Sequence, residues 1–143
     1  DAVSTVCDDR SNHPEIAVER NIPADLPFVS ADPVLLHHVL VNLFDNAMRH
    51  ANREVAWAVA LDGKRVCLSI SDDGPGIPVS EQAEIFDRFR RIKGSDRSGG
   101  SGLGLAIVKG FADAMCMTVT VETAASGGAC FTLAMPFSPG TTL

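Results

Sequence analysis

Asp62-Gly63 lies between two runs of alternating side chains, Val55, Trp57, Val59 and Leu61 before it and Val66, Leu68 and Ile70 after it. A period of two is the mark of a strand with one buried face, and an Asp-Gly between two such runs is a hairpin signal. An antiparallel pair with one apolar face must bury that face against something else. The rest of the chain therefore has to supply a cover.

The cover is legible on both sides of the hairpin. Asp32-Pro33 has the form of a helix start, an acid at the cap and proline at the first helical position. Leu36, Val39, Leu40, Leu43, Phe44 and Ala47 follow at spacings of three and four, which predicts an amphipathic helix to about His50. Leu103 to Met115 is apolar nearly all round and reads as a buried helix, and Ser80 reads as the cap of a short helix carrying Ile85, Phe86 and Phe89. Further strands are expected around Ile16 and Val18, at Phe28-Val29-Ser30, at Met117, Val119 and Val121, and at Phe131, Leu133 and Met135, where Pro136 ends the run. The sum is about three helices and five to six strands. That predicts an α+β fold, a two-layer α/β sandwich with a mixed, mainly antiparallel sheet covered by helices on one face.

The 143 residues suffice for one domain. Residues 14–138 are expected to form it, with 1–13 a polar, irregular linker or residual N-terminal segment and 139–143 a tail. Hydrophobic residues make up 45% and charged residues 21%, a globular rather than disordered composition. No apolar run approaches the ~20 residues of a membrane span, so no direct membrane insertion is expected of this segment. A net charge of −6 weighs against a nucleic-acid partner. The cysteines, Cys7, Cys67, Cys116 and Cys130, have no CxxC spacing, and they read as small hydrophobes in a reducing cytosol rather than as a disulfide framework or a zinc site.

Three polar islands break the apolar patterns. The helix up to His50 carries Asn42, Asn46 and Arg49 at i, i+4 and i+7, one face, where lysine and glutamate would be ordinary. Asparagine is a poor helix former, so this is either a satisfied polar seam or a ligand face. As a ligand face, Asn offers a neutral oxygen to a hard cation, Arg49 a charge to phosphate, and His50 a flat ring to a base. The second island, Asp72-Asp73-Gly74-Pro75-Gly76-Ile77-Pro78, follows a strand directly. Taken alone it is a turn, although an Asp there can also accept a hydrogen bond from an exocyclic amine such as that of adenine. The third, Gly99-Gly100-Ser101-Gly102-Leu103-Gly104-Leu105, opens a helix, where backbone N–H groups form an anion site. It lacks the Lys-Ser/Thr of a Walker loop and the preceding strand of a dinucleotide fingerprint.

In this order the islands resemble the catalytic ATP-binding domain of sensor histidine kinases, members of the GHKL superfamily. The resemblance runs from about Ile16 to Phe137. The N box is Asn42 to His50, the G1 box Asp73-Gly74-Pro75-Gly76-Ile77, the F box Ile85 to Arg91, and the G2 box Gly100 to Leu105. Within the family, Gly127 to Phe131 and the stretch Pro23 to Pro33 look closest to KdpD-type potassium-responsive kinases.

The resemblance implies the Bergerat fold, ATP and Mg2+ as cofactors, and roles for individual residues. Asn46 would ligate Mg2+, and Asn42 would support phosphate or water around it. Arg49 would contact phosphate and His50 would pack on adenine. Asp73 would read the adenine amine, with Gly74 and Gly76 letting the base approach beside Ile77. Phe86 and Phe89 would anchor the ATP lid, and Arg91 would lie near the γ-phosphate. The amides around Gly100, Gly102, Leu103, Gly104 and Leu105 would hold the phosphates. Asn42, Arg49 and Arg91 would be the catalytic residues. ATP-hydrolysing relatives carry Glu where Asn42 stands, and a neutral amide cannot take a proton from water. Phosphoryl transfer to a protein histidine is thus implied rather than hydrolysis.

None of His13, His37, His38 and His50 has the setting of a phosphoacceptor. The resemblance therefore implies the ATP-binding part of a larger, cytoplasmic kinase portion, whose partners would be a separate phosphoacceptor histidine dimerisation domain and a response regulator receiver domain. Alone it is not expected to autophosphorylate. An anti-sigma-factor serine kinase of the same fold also suits Asn46 to His50, but Asn42, Phe86 and Phe89 speak against it. The intact islands speak against a non-catalytic nucleotide-binding regulatory module. Two departures from the family stand out: Met115-Cys116-Met117 where a Gly-Gly turn is usual, and Ala129 where a threonine is common.

Overall fold

In the computed structural model, the described residues are 3, 5–7, 15–23, 29–86 and 104–137. The hairpin forms as the alternation demands. Strand β2 (Glu54–Asp62) pairs antiparallel with β3 (Arg65–Asp72), Trp57 opposite Ile70 and Val59 opposite Leu68. The turn lies one residue later than expected: Asp62 still pairs with Arg65, and the two-residue connection is Gly63-Lys64. Gly63 takes φ +62°, and positive φ at the first central position alone is the type II′ pattern that glycine favours.

Strand β1 (Ala17–Asn21) joins β2 in parallel, and β5 (Ala129–Pro136) joins β3 antiparallel. Strand β4 (Thr118–Thr123) closes the far edge against β5, giving the order β1-β2-β3-β5-β4. The sheet is mixed and mainly antiparallel, as the sequence predicts.

Alternation divides the sheet into two faces. Val55, Trp57, Val66, Leu68, Ile70, Val119, Phe131, Leu133 and Met135 are buried on one. Ala56, Ala58, Cys67, Ser69, Cys130 and Thr132 lie half-exposed on the other. Helix α1 (Pro33–His50) covers the apolar face, stacking Phe44 on Trp57 with ring centroids 5.7 Å apart. Its start is as the sequence predicts: the Asp32 carboxylate accepts from the amides of Val34 and Leu35, and Pro33 opens the first turn. Val39, Leu40, Leu43, Phe44 and Ala47 are all at most 1% exposed. Helix α3 (Gly104–Ala114) packs beside α1, with His38 edge-on to Phe111 at 5.9 Å.

Several expectations are corrected. Helix α3 is not buried all round: only Val108 and Ala112 are, and Ile107 is 39% exposed. The short helix α2 (Val79–Gln82) begins before Ser80 and has no side-chain cap, and Ile85 and Phe86 follow it in a turn. Val29 and Ser30 are not in a strand, and Phe28 lies outside the described residues. Near the N-terminus, Val3, Val6 and Cys7 are helical and belong to the core, where a polar, irregular start was expected. All four cysteines are free; Cys7 is buried, Cys67 and Cys130 are half-buried, and Cys116 is exposed.

Candidate functional site

Three segments converge beside the C-terminal end of α1: that helix end with the connector after it, the glycine loop after β3, and the turn between β4 and β5. Contacts of very short range fasten them. A Cβ on Gly74 would lie 2.1 Å from the His50 carbonyl oxygen, and one on Gly76 would lie 2.5 Å from that of Gly127. Gly76 also has φ +78°, a conformation glycine adopts without a steric penalty. A Cβ on Gly128 would lie 2.0 Å from the carbonyl oxygen of Asp72, which also accepts the Ser126 hydroxyl at 3.0 Å. The sequence reading gave Gly74 and Gly76 the task of admitting a base. In the structure the space their missing side chains leave is filled by protein backbone.

The two adjacent acids have different fates. Asp73 turns to the connector after α1, where its Oδ1 accepts from the amides of Asn52 at 2.8 Å, Arg53 at 3.0 Å and Glu54 at 3.2 Å. Its Oδ2 accepts again from Arg53, and the Asn52 side chain donates to its carbonyl. The Arg53 amide, helped by those of Glu54 and Asn52, holds this carboxyl below the usual carboxylate range. A carboxylate so occupied clamps the connector to the glycine loop, a task other than the base reading that the sequence suggests for it.

Asp72 is only 3% exposed. Its Oδ1 accepts from the amides of Gly74 at 2.9 Å and Ala129 at 3.4 Å, and among the described residues no donor is bonded to Oδ2. Burial pushes its carboxyl up, against the pull of those two amides and of the nearby His50. A buried acid with one oxygen anchored and the other uncommitted is built to accept one more hydrogen bond. The sequence holds the signal for it: Val66, Leu68 and Ile70 point inward, so a period of two brings Asp72 to the same face and turns Asp73 away. The spacing D-x-G-x-G also begins at Asp72.

Along α1 the polar face is real. Asn46 is 5% exposed, the one buried polar side chain of that helix among the described residues. Asn42 donates its Nδ2 to the His38 carbonyl at 2.8 Å, which turns Oδ1 outward. That oxygen lies 3.1 Å from where a Cβ on Gly104 would sit, so the polar face of α1 meets the first residue of α3. Arg49 is exposed and His50 half-buried in the last turn. Among the described residues no group of three or more His, Cys, Asp or Glu could hold a metal. A cation at this face would take neutral amide oxygens and the phosphates of its own ligand, a pattern that suits Mg2+.

Of the remaining candidates, Ile77 is buried in the core and Leu105 packs against it. Phe86 meets Phe131 edge-to-face at 6.0 Å. Phe89, Arg91, Gly100, Gly102 and Leu103 lie outside the described residues. Besides Asp72, the residues that sequence reasoning missed are Asn52 and Ser126. Their roles arise from contacts with residues 21 and 54 positions away, and no local signal announces such contacts.

Residues 31–139 match the family model described as histidine kinase-, DNA gyrase B-, and HSP90-like ATPase. Sensor protein RstB of Escherichia coli is 43% identical over 111 residues, 76% of this chain and 26% of that protein. Sensor protein KdpD of the same organism is 33% identical over 121 residues, 83% of this chain and 14% of that protein. It is one of several similar kinases, so a KdpD subtype is not singled out. The chain spans about a third or less of the length of these relatives. Among solved structures, the mycobacterial sensor histidine kinase MprB superimposes with a TM-score of 0.81 at 29% identity, covering 94% of this chain and 90% of that one. Full-length ShkA in complex with AMPPNP gives 0.80 at 31% identity, covering 96% of this chain and 29% of that one.

Proposed function

The chain belongs to the histidine kinase-, DNA gyrase B-, and HSP90-like ATPase family, with the catalytic-domain fold of sensor histidine kinases, and from that premise we propose that it binds Mg-ATP and presents the γ-phosphoryl group to a histidine on a separate phosphoacceptor domain. The observation that carries this reading is Asp72: a buried carboxylate, anchored through one oxygen, beside a helix whose polar face ends in Asn46, Arg49 and His50. Its Oδ2 accepts the exocyclic amine of adenine. Binding of AMPPNP by ShkA, a relative at 31% identity, supports the nucleotide class.

The residues present suit Mg2+, because Asn46 is a buried side chain with a neutral amide oxygen and Asn42 offers another oxygen 4 positions earlier on the same face. Asn46 would hold the ion, which neutralises phosphate charge in phosphoryl transfer. Asn42 keeps its amide oriented through His38 and, having no basic lone pair at neutral pH, leaves water unactivated. Transfer to a neutral histidine nitrogen follows from that lack of a base. Arg49 contributes positive charge at the phosphate end, while Asp72 fixes the base end. Among the described residues no helix is long and apolar enough to cross a membrane. The acceptor domain and a response regulator receiver domain are the partners of this reading, and the cytosol its compartment.

Calorimetric titration with ATP, with and without Mg2+, tests it. Wild type is expected to bind, and Asp72→Asn to weaken binding about tenfold or more, since hydrogen bonds to charged groups contribute about 1.5–3 kcal/mol. Retention of full affinity by Asp72→Asn would overturn the base-reading assignment.

A further inference from the structure

Asp73 sits beside the base reader, yet spends its carboxylate on a neighbouring segment. Its three amide partners belong to Asn52, Arg53 and Glu54, the connector that leaves α1 and enters β2. Asn52 returns a side-chain bond to the Asp73 carbonyl at 2.9 Å, so the two strands of chain are tied in both directions. The same junction is closed from the other side, where Gly74 leaves no room between its Cα and the His50 carbonyl.

These contacts join two halves of one site. Asp72 and Ile77 stand on the glycine loop, at the base end. Asn42, Asn46 and Arg49 stand on α1, at the cation and phosphate end. No covalent path shorter than the whole of β2 and β3 links them, since 20 residues separate Asp73 from Arg53. Resting on the proposed nucleotide reading, we propose that Asp73 is a positioning residue that sets the distance between the base-reading carboxylate and the phosphate-holding face of α1. It touches neither the base nor the phosphates. A ligand that bridges both halves feels the clamp, and a ligand that occupies only the base end does not.

That difference gives the test. Dissociation constants of the full chain for Mg-ATP are measured by calorimetry, and for adenosine by ligand-detected NMR, which reaches the millimolar range. Wild type is compared with Asp73→Ala, Asp73→Asn and Asp72→Asn, below the unfolding transition of every variant. Asp73→Ala is expected to weaken Mg-ATP about ten- to a hundredfold, the scale of a small misplacement, while adenosine changes little. Asp73→Asn keeps one acceptor oxygen for the three amides and is expected to recover most of the loss. Where the alanine variant fails to fold, Asn52→Ala, which removes the return bond to the Asp73 carbonyl, takes its place and is expected to weaken Mg-ATP while leaving adenosine unchanged. If adenosine weakens as much as ATP in the Asp73 variants, the ratio is unmoved, and Asp73 is either a base reader or merely part of the scaffold; the proposal is then wrong. If ATP affinity is unchanged in a folded Asp73→Ala, or in Asn52→Ala where that variant replaces it, the proposal is wrong as well. Failure of the underlying reading has a separate signature, either no ATP binding by wild type or full ATP affinity in Asp72→Asn, and the positioning role falls with it.

Discussion

Asp72 and Asp73 are adjacent residues of one type, and their pKa values move in opposite directions because one is buried and the other is wrapped in amides. The signs lead to different pH behaviour. Asp73 has a folded-state pKa below its unfolded one, so its stabilisation is present at neutral pH and is lost as pH falls through the lowered value. Asp72 has a raised folded-state pKa, so its ionised form costs stability at neutral pH, and that cost is relieved as pH falls through the raised value. Asp72→Asn removes the buried charge while leaving an oxygen for the amides of Gly74 and Ala129. It is therefore expected to leave the thermal midpoint of the free chain unchanged or higher even as it weakens ATP binding, a trade of stability against function. A clear fall in the midpoint would show that the charge itself holds the loop. The affinity of wild type for ATP is expected to decline on acidification from a pH above the ordinary carboxylate range, because only the ionised Asp72 accepts the amine. Titrations across a pH series, with Asp72→Asn as the flat reference, check this.

At the scale of elements, strand β3 shows how far pattern reading reaches. Alternation gave the buried face of each hairpin strand correctly, because a slip of one residue would turn Val66, Leu68 and Ile70 out of the core. It could not place the turn, since apolar periodicity stops at Leu61 and Val66 and is silent about the four residues between. The glycines of the site were legible as a loop but not as joints, because what Gly74 and Gly128 avoid is backbone from distant parts of the chain. The end of α3 shows the same limit. Its C-terminus forms a Schellman motif: the amide of Cys116 bonds to the Asp113 carbonyl at 3.1 Å and that of Met117 to Ala112 at 2.8 Å. This motif requires a left-handed residue, and Cys116 stands there at φ +59°. The family's usual glycine would fit without strain, so the departure visible in the sequence has a conformational cost. Cys116→Gly is expected to stabilise the chain by about 0.5–1 kcal/mol, the left-handed penalty less the added freedom of the unfolded glycine. The denaturant midpoint measures it, and an unchanged or lower midpoint would mean that the exposed thiol makes a compensating contact.

The whole molecule decides how nucleotide binding reads out. Trp57 is completely buried under Phe44, and among the described residues its indole N–H has no hydrogen-bond partner. It sits on β2 opposite Ile70, on the buried face of the sheet, and is the one tryptophan of the chain. Its near-ultraviolet signal therefore reports tertiary packing rather than ligand contact. The site is assembled from α1, the loop after β3 and the β4–β5 turn, which span most of the sheet. Separating those segments means separating the layers, so a ligand bound across them stabilises the domain as a unit rather than one loop. At a free ligand concentration of 100 times Kd, binding to the folded state alone adds about 2.7 kcal/mol. For a domain of this size that is expected to raise the midpoint by roughly 5–15 °C. The shift should appear in the Trp57 signal and in the far-ultraviolet signal of the helices at the same temperature. Asp72→Asn, with its affinity about tenfold or more lower, should show about half that shift or less at the same ATP concentration. If the helices and Trp57 report different midpoints with ATP present, the ligand is holding only part of the structure, and the three segments do not form one cooperative site.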